Sequence, residues 1–236
     1  MQPTFLPWLG WFDLLDQSDV AIMLDDVAFS KQSWQQRNRI RTAEGLHYLS
    51  LPVKTSGLLG QLIMDTEVAG QKFVKKMVKT IAFSYAKAPF FHHYYDSFCA
   101  TFRGVAETGQ LLEINMALIH WIMAQLGMDQ ELLMASDLDQ GGKKSDHVVR
   151  LCQQVEGSHY LSPLGAQAYL QSDRALFDQA GVAVEIHNYQ HPHYPQCFEP
   201  FIPYASILDL LMNRGEASLE TIRSGRGENR TLAAGE

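Results

Sequence analysis

The amino-acid sequence predicts an α/β protein with a Rossmann-like, mostly parallel sheet and a helical insertion around residues 70–127. Residues 20–24 form an apolar run of buried-strand length, followed by two aspartates. Residues 70–127 repeat apolar side chains at spacings of three and four, the period of a helix. From residue 131 onward, strand-like and helix-like segments alternate, which is typical of right-handed parallel crossovers.

The N-terminal third is predicted as an extended loop, a short helix, a strand and a hairpin. Pro3 and Pro7 keep residues 2–8 extended, because proline disfavours helix in the residue before it. A helix over about residues 10–17 precedes the strand at 20–24. Two hairpin strands flank the turn at residues 43–45, and residues 62–68 are predicted as a further strand.

The C-terminal third is predicted as alternating strands and helices. The strands are residues 131–135, the HYL segment and the VAVEIHNY segment, with helices between them. The helix PYASILDLLMNRG ends at Gly215, a natural C-cap. We therefore expect one α/β domain over residues 1–215 and a partly disordered tail over residues 216–236.

Composition excludes several classes of protein. The 236 residues are 46% hydrophobic and carry a formal charge of −7, which argues against a general nucleic-acid binder. The three cysteines form no CxxC pair, so a disulfide framework and a four-thiolate zinc site are not expected. No apolar run has the length of a membrane span, and the N-terminus lacks a signal-peptide layout. We expect a cytoplasmic protein with a small-molecule substrate.

The opening loop is the first candidate binding element. Gln2, Pro3 and Pro7 precede a glycine and a helix, so loop N–H groups and the helix N-terminus could bind an anion. Nucleotidylyltransferases with an HxGH signature place two histidines around such a glycine, where this chain has Trp8 and Trp11. The alternative is that both tryptophans only pack the helix onto the sheet.

A polar cluster follows the strand at residues 20–24. Asp25 and Asp26 could hold a divalent cation or accept a proton. Basic side chains nearby could neutralise a phosphate, and in a strand Arg37 and Arg39 would face the side opposite Asn38. The alternative is a solvated loop whose charges pair with one another. The rest of this candidate cluster is Lys31 and Trp34.

A third candidate element follows the VAVEIHNY strand. His191 and His193 could act in acid–base chemistry, because the ordinary histidine pKa lies near neutrality. As a metal pair they lack an evident third ligand, and two prolines also suit a rigid surface loop. His92–His93 are interpreted as part of an amphipathic helix face. Residues 136–137 and 141–144 are a weaker candidate anion site at a helix start.

These motifs together resemble the WbqC-like protein family over about residues 2–215. The resemblance is carried by QPTFLPWLGWF, DDVAFSKQSWQQRNRI, HPHYPQ and SILDLLMNRG. Family members usually carry a short apolar strand before the QP motif, whereas this sequence begins Met1-Gln2-Pro3. Either the start lies upstream, or the sheet lacks its first strand, which would expose a neighbouring strand.

We expect a fold related to the nucleotide-binding HUP-type architecture, and the resemblance implies a transferase. Such an enzyme would move an acyl or aminoacyl group onto an amino sugar or similar amine, in surface-polysaccharide or natural-product biosynthesis. The predicted catalytic residues are Asp26, His191 and Lys31. The predicted substrate-binding residues are Gln2, Pro3, Pro7, Asp25, Trp34, Arg37, Asn38, Arg39, Tyr194, Gln196, Asp209 and Asn213.

Two further functions stay open from the sequence. One is a nucleotidylyltransferase-like enzyme using Mg²⁺ with a nucleotide, although both signature histidines are missing. The other is a non-catalytic small-molecule binding protein with the same cleft. The aromatic helices over residues 70–127 would either form a homodimer face or cap the site.

Overall fold

The N-terminal segment begins as predicted with an extended loop, a helix and a strand. A computed structural model describes residues 1–138 and 141–232 of the chain. Helix α1 (Leu9–Asp16) follows the loop, with Leu9, Phe12 and Leu15 fully buried. Strand β1 (Val20–Met23) follows and runs toward Asp25 and Asp26. The apolar side of α1 therefore anchors the loop to the core.

The predicted hairpin is present, whereas the predicted strand over residues 62–68 is wrong. Strands β2 (Arg37–Thr42) and β3 (Gly45–Ser50) pair antiparallel, and Gly45 adopts φ 118° in the turn. Residues 62–68 instead fold into turns, because the amides of Asp65 and Thr66 bond to carbonyls three residues earlier. Only isolated bridges form at Leu62, Glu67 and Val68.

Three helices occupy the region in which the apolar period predicted them. They are α2 (Lys72–Tyr85), α3 (Phe91–Ala106) and α4 (Leu111–Leu126). Their apolar faces join α1, the β2–β3 hairpin and a later helix in the larger hydrophobic core. His92 and His93 lie exposed on α3, as an amphipathic face requires.

The C-terminal half alternates strands and helices. Its strands are β4 (Glu131–Met134), β5 (His159–Ser162), β6 (Ala183–Ile186) and β7 (Arg230–Thr231). Its helices are α5 (Ser145–Gln154), α6 (Gln167–Ser172), α7 (Arg174–Gln179), α8 (Ile207–Arg214) and α9 (Ser218–Arg223). A second, smaller core lies between α5, α6, α7 and strand β6. Residues 218–231, within the segment expected as a tail, thus contribute α9 and β7.

The strands form small sheets, and a continuous Rossmann-like parallel sheet is not confirmed. Strand β1 pairs parallel with β4, and β5 pairs parallel with β6, whose other edge takes β7 antiparallel. A cavity of about 400 Å³ separates β1 from β5. The Leu24 amide donates to the carbonyl of Met1 at 2.6 Å, at one end of this cavity. The fold is a mixed α/β arrangement of helices and small sheets.

No helix in the described ranges is both long and apolar enough to cross a membrane.

Candidate functional site

The carboxyl ends of β1 and β4 are joined by an aspartate. Asp25 follows β1 and is only 1% exposed. Its Oδ1 accepts from the Ser136 amide at 3.0 Å, and its Oδ2 accepts from the Ser136 hydroxyl at 2.6 Å. Because these bonds occupy both carboxylate oxygens, Asp25 holds the two strand ends in register and positions the residue beside it.

Asp26 forms an acid–base pair with His147, a residue that the sequence analysis missed. His147 Nε2 lies 3.0 Å from Asp26 Oδ2, and His147 Nδ1 lies 2.9 Å from the carbonyl oxygen of Gly141. Both neighbours are acceptors, so an imidazole that carries both protons satisfies both contacts. The side chains are 14% and 8% exposed. A sheltered carboxylate in contact with an imidazole supplies two groups of the kind used for proton transfer.

Helix α5 supplies His147 from its first turn. The preceding Gly142 folds against this turn with φ 81°, and a Cβ there would lie 2.9 Å from the His147 backbone nitrogen. The weak sequence signal at residues 141–144 therefore marked the approach to this pair.

A resident metal has no ready-made site in the described part of the chain. Residues 1–138 and 141–232 contain no group of three or more His, Cys, Asp or Glu side chains arranged to hold an ion.

The opening loop is held by buried amides rather than left open for a ligand. Asn38 Nδ2 donates to the carbonyls of Phe5 and Leu6, at 3.3 and 2.7 Å. Pro3 and Pro7 are buried. Gln2 is exposed, and its Oε1 accepts from Gln35 Nε2 at 3.0 Å. Of the predicted binding residues in this loop, Gln2 is the one with a side chain at the surface.

His191 lies in an aromatic cluster. Its ring is 5.1 Å from the ring of Tyr204 and 6.3 Å from that of Trp8, measured between centroids. Nδ1 lies 2.9 Å from the carbonyl oxygen of Pro192, and the buried Nε2 has no hydrogen-bond partner. Burial lowers the pKa of His191, partly offset by its bond to that carbonyl. The ring is therefore neutral at pH 7.

Four predicted binding residues instead form a buried polar network. Asp209 Oδ2 accepts from Tyr194 Oη and from Gln196 Nε2, each at 2.8 Å, while Asn213 Nδ2 donates to the Asp209 carbonyl at 2.7 Å. Burial raises the pKa of Asp209, and its hydrogen bonds oppose that rise. Burial also raises the pKa of Tyr194 well above its ordinary value. This network fastens α8 to the 194–202 segment, and its fully buried carboxylate faces no cleft.

The remaining predicted residues lie on the surface of the β2–β3 hairpin and the loop before it. Lys31 is exposed, and the Trp34 residue is 47% exposed. The guanidinium of Arg37 lies 4.6 Å from the Tyr48 ring centroid, and that of Arg39 lies 5.3 Å from the Trp34 ring centroid. The burial pattern confirms the predicted alternation, with Asn38 buried and both arginines partly exposed.

A second Asp–His pair also escaped the sequence analysis. His187 follows β6, and its Nε2 lies 2.7 Å from Oδ2 of Asp13 in α1. Asp13 also accepts from Gln17 Nε2 at 2.7 Å and from Arg226 Nε at 2.9 Å, and it is fully buried. Neither pair has a spacing signature, because each joins residues more than 120 positions apart.

Comparison with known proteins identifies the family to which the chain belongs. The model of the WbqC-like protein family matches residues 2–221. A protein of Mycobacterium tuberculosis (strain ATCC 25618 / H37Rv) with the name "Uncharacterized protein Rv1507c" is 31% identical over 224 residues. That match covers 94% of this chain and 96% of the relative. No solved structure matches the chain. With the family model covering nearly all of its length, the chain belongs to the WbqC-like protein family.

Proposed function

We propose that this protein is a small-molecule transferase that moves an acyl or aminoacyl group onto an amine, such as an amino sugar. The family resemblance suggests this class of reaction, in surface-polysaccharide or natural-product biosynthesis. The observation that supports it best is the Asp26–His147 pair at the carboxyl ends of β1 and β4. Ligands of open α/β sheets bind at this kind of edge.

Asp26 is the general base in this proposal. Its carboxylate accepts a proton from the acceptor amine while the amine nitrogen forms a bond to the acyl carbon. The bond between that carbon and the leaving group then breaks, and the leaving group takes the proton from Asp26. His147 is a positioning residue, since its two ring nitrogens face Asp26 and the Gly141 carbonyl.

Asp26 is the better candidate base than His191. Among the described residues, His147 is the one side chain bonded to Asp26, so its carboxylate keeps acceptor capacity for a substrate. The open nitrogen of His191 is buried, so the aromatic cluster would have to move before a substrate could reach it. Lys31 and Arg37 serve as anchors for a phosphate or carboxylate of the substrate.

The proposed site at the ends of β1 and β4 is accompanied by a proposal about the arrangement of the strands. We propose that the β1–β4 and β5–β6 pairs are two halves of a Rossmann-like arrangement within one domain over residues 1–215. Both pairs are parallel, and edges of β1 and β5 line the cavity between them. An extended segment in that cavity would join the halves. The cytoplasmic location and the homodimer stay predictions.

The test begins with a ligand screen. Thermal shift is measured with ATP, UDP-N-acetylglucosamine, acetyl-CoA and glycine, each with and without Mg²⁺, because a ligand that binds the native state raises the melting temperature. Stabilising pairs are then incubated with the protein and the products are analysed by mass spectrometry. An acylated amine is the expected product.

The Asp26→Asn variant then tests the base. We expect at least a roughly 100-fold loss of turnover, the usual size of a general acid–base contribution, with ligand affinity retained. Asp65→Asn, at an exposed loop aspartate, is the matched control and should keep full turnover. Full turnover in Asp26→Asn would refute the proposed base.

The screen also separates the alternatives. Burial and internal bonding of Asp209, Tyr194 and Asn213 leave these predicted binding residues unavailable to a ligand, and a non-catalytic binding protein stays the alternative. Such a protein would bind a ligand and form no product in any pairing. Release of pyrophosphate from ATP with Mg²⁺ would instead support nucleotidyl transfer.

A further inference from the structure

An exposed group of aromatic and arginine side chains shares no residue with the Asp26–His147 pair. Trp34, Tyr48 and Tyr204 are 47%, 44% and 50% exposed, although large aromatic residues are usually well buried. Arg37 and Arg39 lie among these rings. We call this surface the Arg–aromatic platform.

The β2–β3 hairpin builds most of the platform. Arg39 lies directly opposite Tyr48 in the antiparallel register, and Arg37 is two positions away on the same face. The rings of Trp34 and Tyr48 are stacked, with centroids 6.4 Å apart and planes 27° from parallel. Arg39 Nη2 donates to the backbone carbonyl of Tyr204 at 3.2 Å, and this bond links the hairpin to the residue that carries the third exposed ring. The platform is therefore preorganised.

The two arginines retain unused donors. Within residues 1–138 and 141–232, neither Arg37 nor Arg39 forms an ion pair, whereas Arg223 and Arg226 both bind aspartates. Arg39 Nε is buried without a hydrogen-bond partner, so a ligand would reach this guanidinium through its outer nitrogens. The platform thus places two unpaired positive charges together on a protein with a formal charge of −7.

We propose that the Arg–aromatic platform binds a nucleoside diphosphate. The base stacks against the Trp34–Tyr48 ring pair, whose residues are 47% and 44% exposed, because aromatic side chains stack on any base. The guanidinium groups of Arg37 and Arg39 bind the phosphates, for which their planar donors are well matched. This inference relies on the proposed function only for the anchoring role of Arg37, and it does not depend on Asp26.

Calorimetric titration with UDP tests the proposal, with uridine and inorganic pyrophosphate as the separate halves of the ligand. We expect UDP to bind at least about tenfold more tightly than either half, because stacking and charge pairing act together. Trp34→Ala and Arg37→Gln should each weaken UDP binding by about tenfold or more. The Arg37 side chain forms no hydrogen bond in the described structure, so its variant should fold normally.

The matched control is Phe83→Ala. Phe83 is 77% exposed on α2 and has Lys79 Nζ 5.6 Å from its ring centroid, so it repeats the cation–ring contact away from the platform. This variant should bind UDP with unchanged affinity. Asp26→Asn should also bind UDP normally, which separates failure of the platform from failure of the proposed base.

Two results would overturn the inference. One is UDP binding that is undetectable in the wild type, or that is equally tight in the wild type and in Trp34→Ala. The other is a dimer in solution that Trp34→Ala converts to a monomer, because the platform would then be a protein interface, where Trp, Tyr and Arg are also enriched. Light scattering on the wild type and the variant distinguishes this second case.

Discussion

The two Asp–His pairs of this protein use the same residue types in different surroundings. Asp26–His147 joins the end of β1 to the first turn of α5, and Asp13–His187 joins α1 to the end of β6. Asp13 accepts from three side chains and is fully buried, whereas Asp26 accepts from His147 alone among the described residues. The number of donors already bound to the carboxylate therefore separates a structural pair from a candidate catalytic one.

Two arginines near the Asp13–His187 pair account for the many donors bound to the carboxylates of α1. Arg226 bridges Asp13 and Asp16, and Arg223 forms two further bonds to Asp16. These contacts bind the segment after α8 to α1. A hydrogen bond from Arg223 is the main cause that lowers the pKa of Asp16, and Arg226 adds to it. Within residues 1–138 and 141–232, Asp26 pairs with no arginine, so its carboxylate keeps acceptor capacity for a substrate.

The largest expected effect comes from Asp13→Ala. Removal of this carboxylate leaves the buried His187 without its partner and leaves Arg226 with Asp16 alone, and breaking a buried pair in this way costs about 3–5 kcal/mol. Urea denaturation measures the change in the free energy of unfolding. Asp26→Ala should cost less, about 1–3 kcal/mol, since among the described residues Asp26 accepts from His147 alone. Equal losses in the two variants would contradict the division into structural and catalytic pairs.

Substitution of Asp209 in the buried polar network should cause a loss of stability of intermediate size. Asp209→Ala should destabilise the protein by about 2–3 kcal/mol, because Tyr194 and Gln196 lose their buried acceptor. Asp209→Asn keeps an acceptor and should retain most of the stability, together with full ligand affinity. A specific loss of ligand affinity in a stable Asp209→Asn protein would restore the predicted binding role.

The same network predicts a pH dependence. Burial raises the folded-state pKa of Asp209 above its ordinary 3.8, so its protonation favours the folded state. The resulting stabilisation is complete below pH 3.8 and is lost as pH rises through the folded-state pKa. Stability of Asp209→Asn relative to the wild type should therefore increase as pH rises from 3.8. A difference that stays constant with pH in urea titrations would contradict this assignment.

Arg223→Gln should have the smallest effect, at most about 1 kcal/mol, because the arginine is exposed. The folded-state pKa of Asp16 lies below 3.8, so its pairing stabilises the protein above pH 3.8 and is lost as pH falls through the folded-state value. The wild type and Arg223→Gln should thus differ in melting temperature at pH 7 and converge in strong acid. A difference that persists at low pH would show that Arg223 acts through packing.

Part of the candidate site could be predicted from the sequence. The apolar run before Asp25 and Asp26 located a strand end, and strand ends of α/β sheets bind ligands. The alternation of side-chain direction along a strand predicted that Arg37 and Arg39 lie on the face opposite Asn38, and the burial pattern of β2 confirms it. Burial of Tyr194, Asp209 and Asn213 could not be predicted in the same way, because polar residues in a motif are compatible with either a cleft or an internal network.

The sequence by itself determined the helices over residues 72–126, the β2–β3 hairpin and the family, because apolar period and local motifs are properties of neighbouring residues. Only the tertiary structure decided that His147 is the partner of Asp26 and His187 that of Asp13. It also decided that β1–β4 and β5–β6 form separate sheets. Such pairings depend on how distant segments pack, and the spacing of residues along the chain does not encode which carboxylate a given histidine will meet.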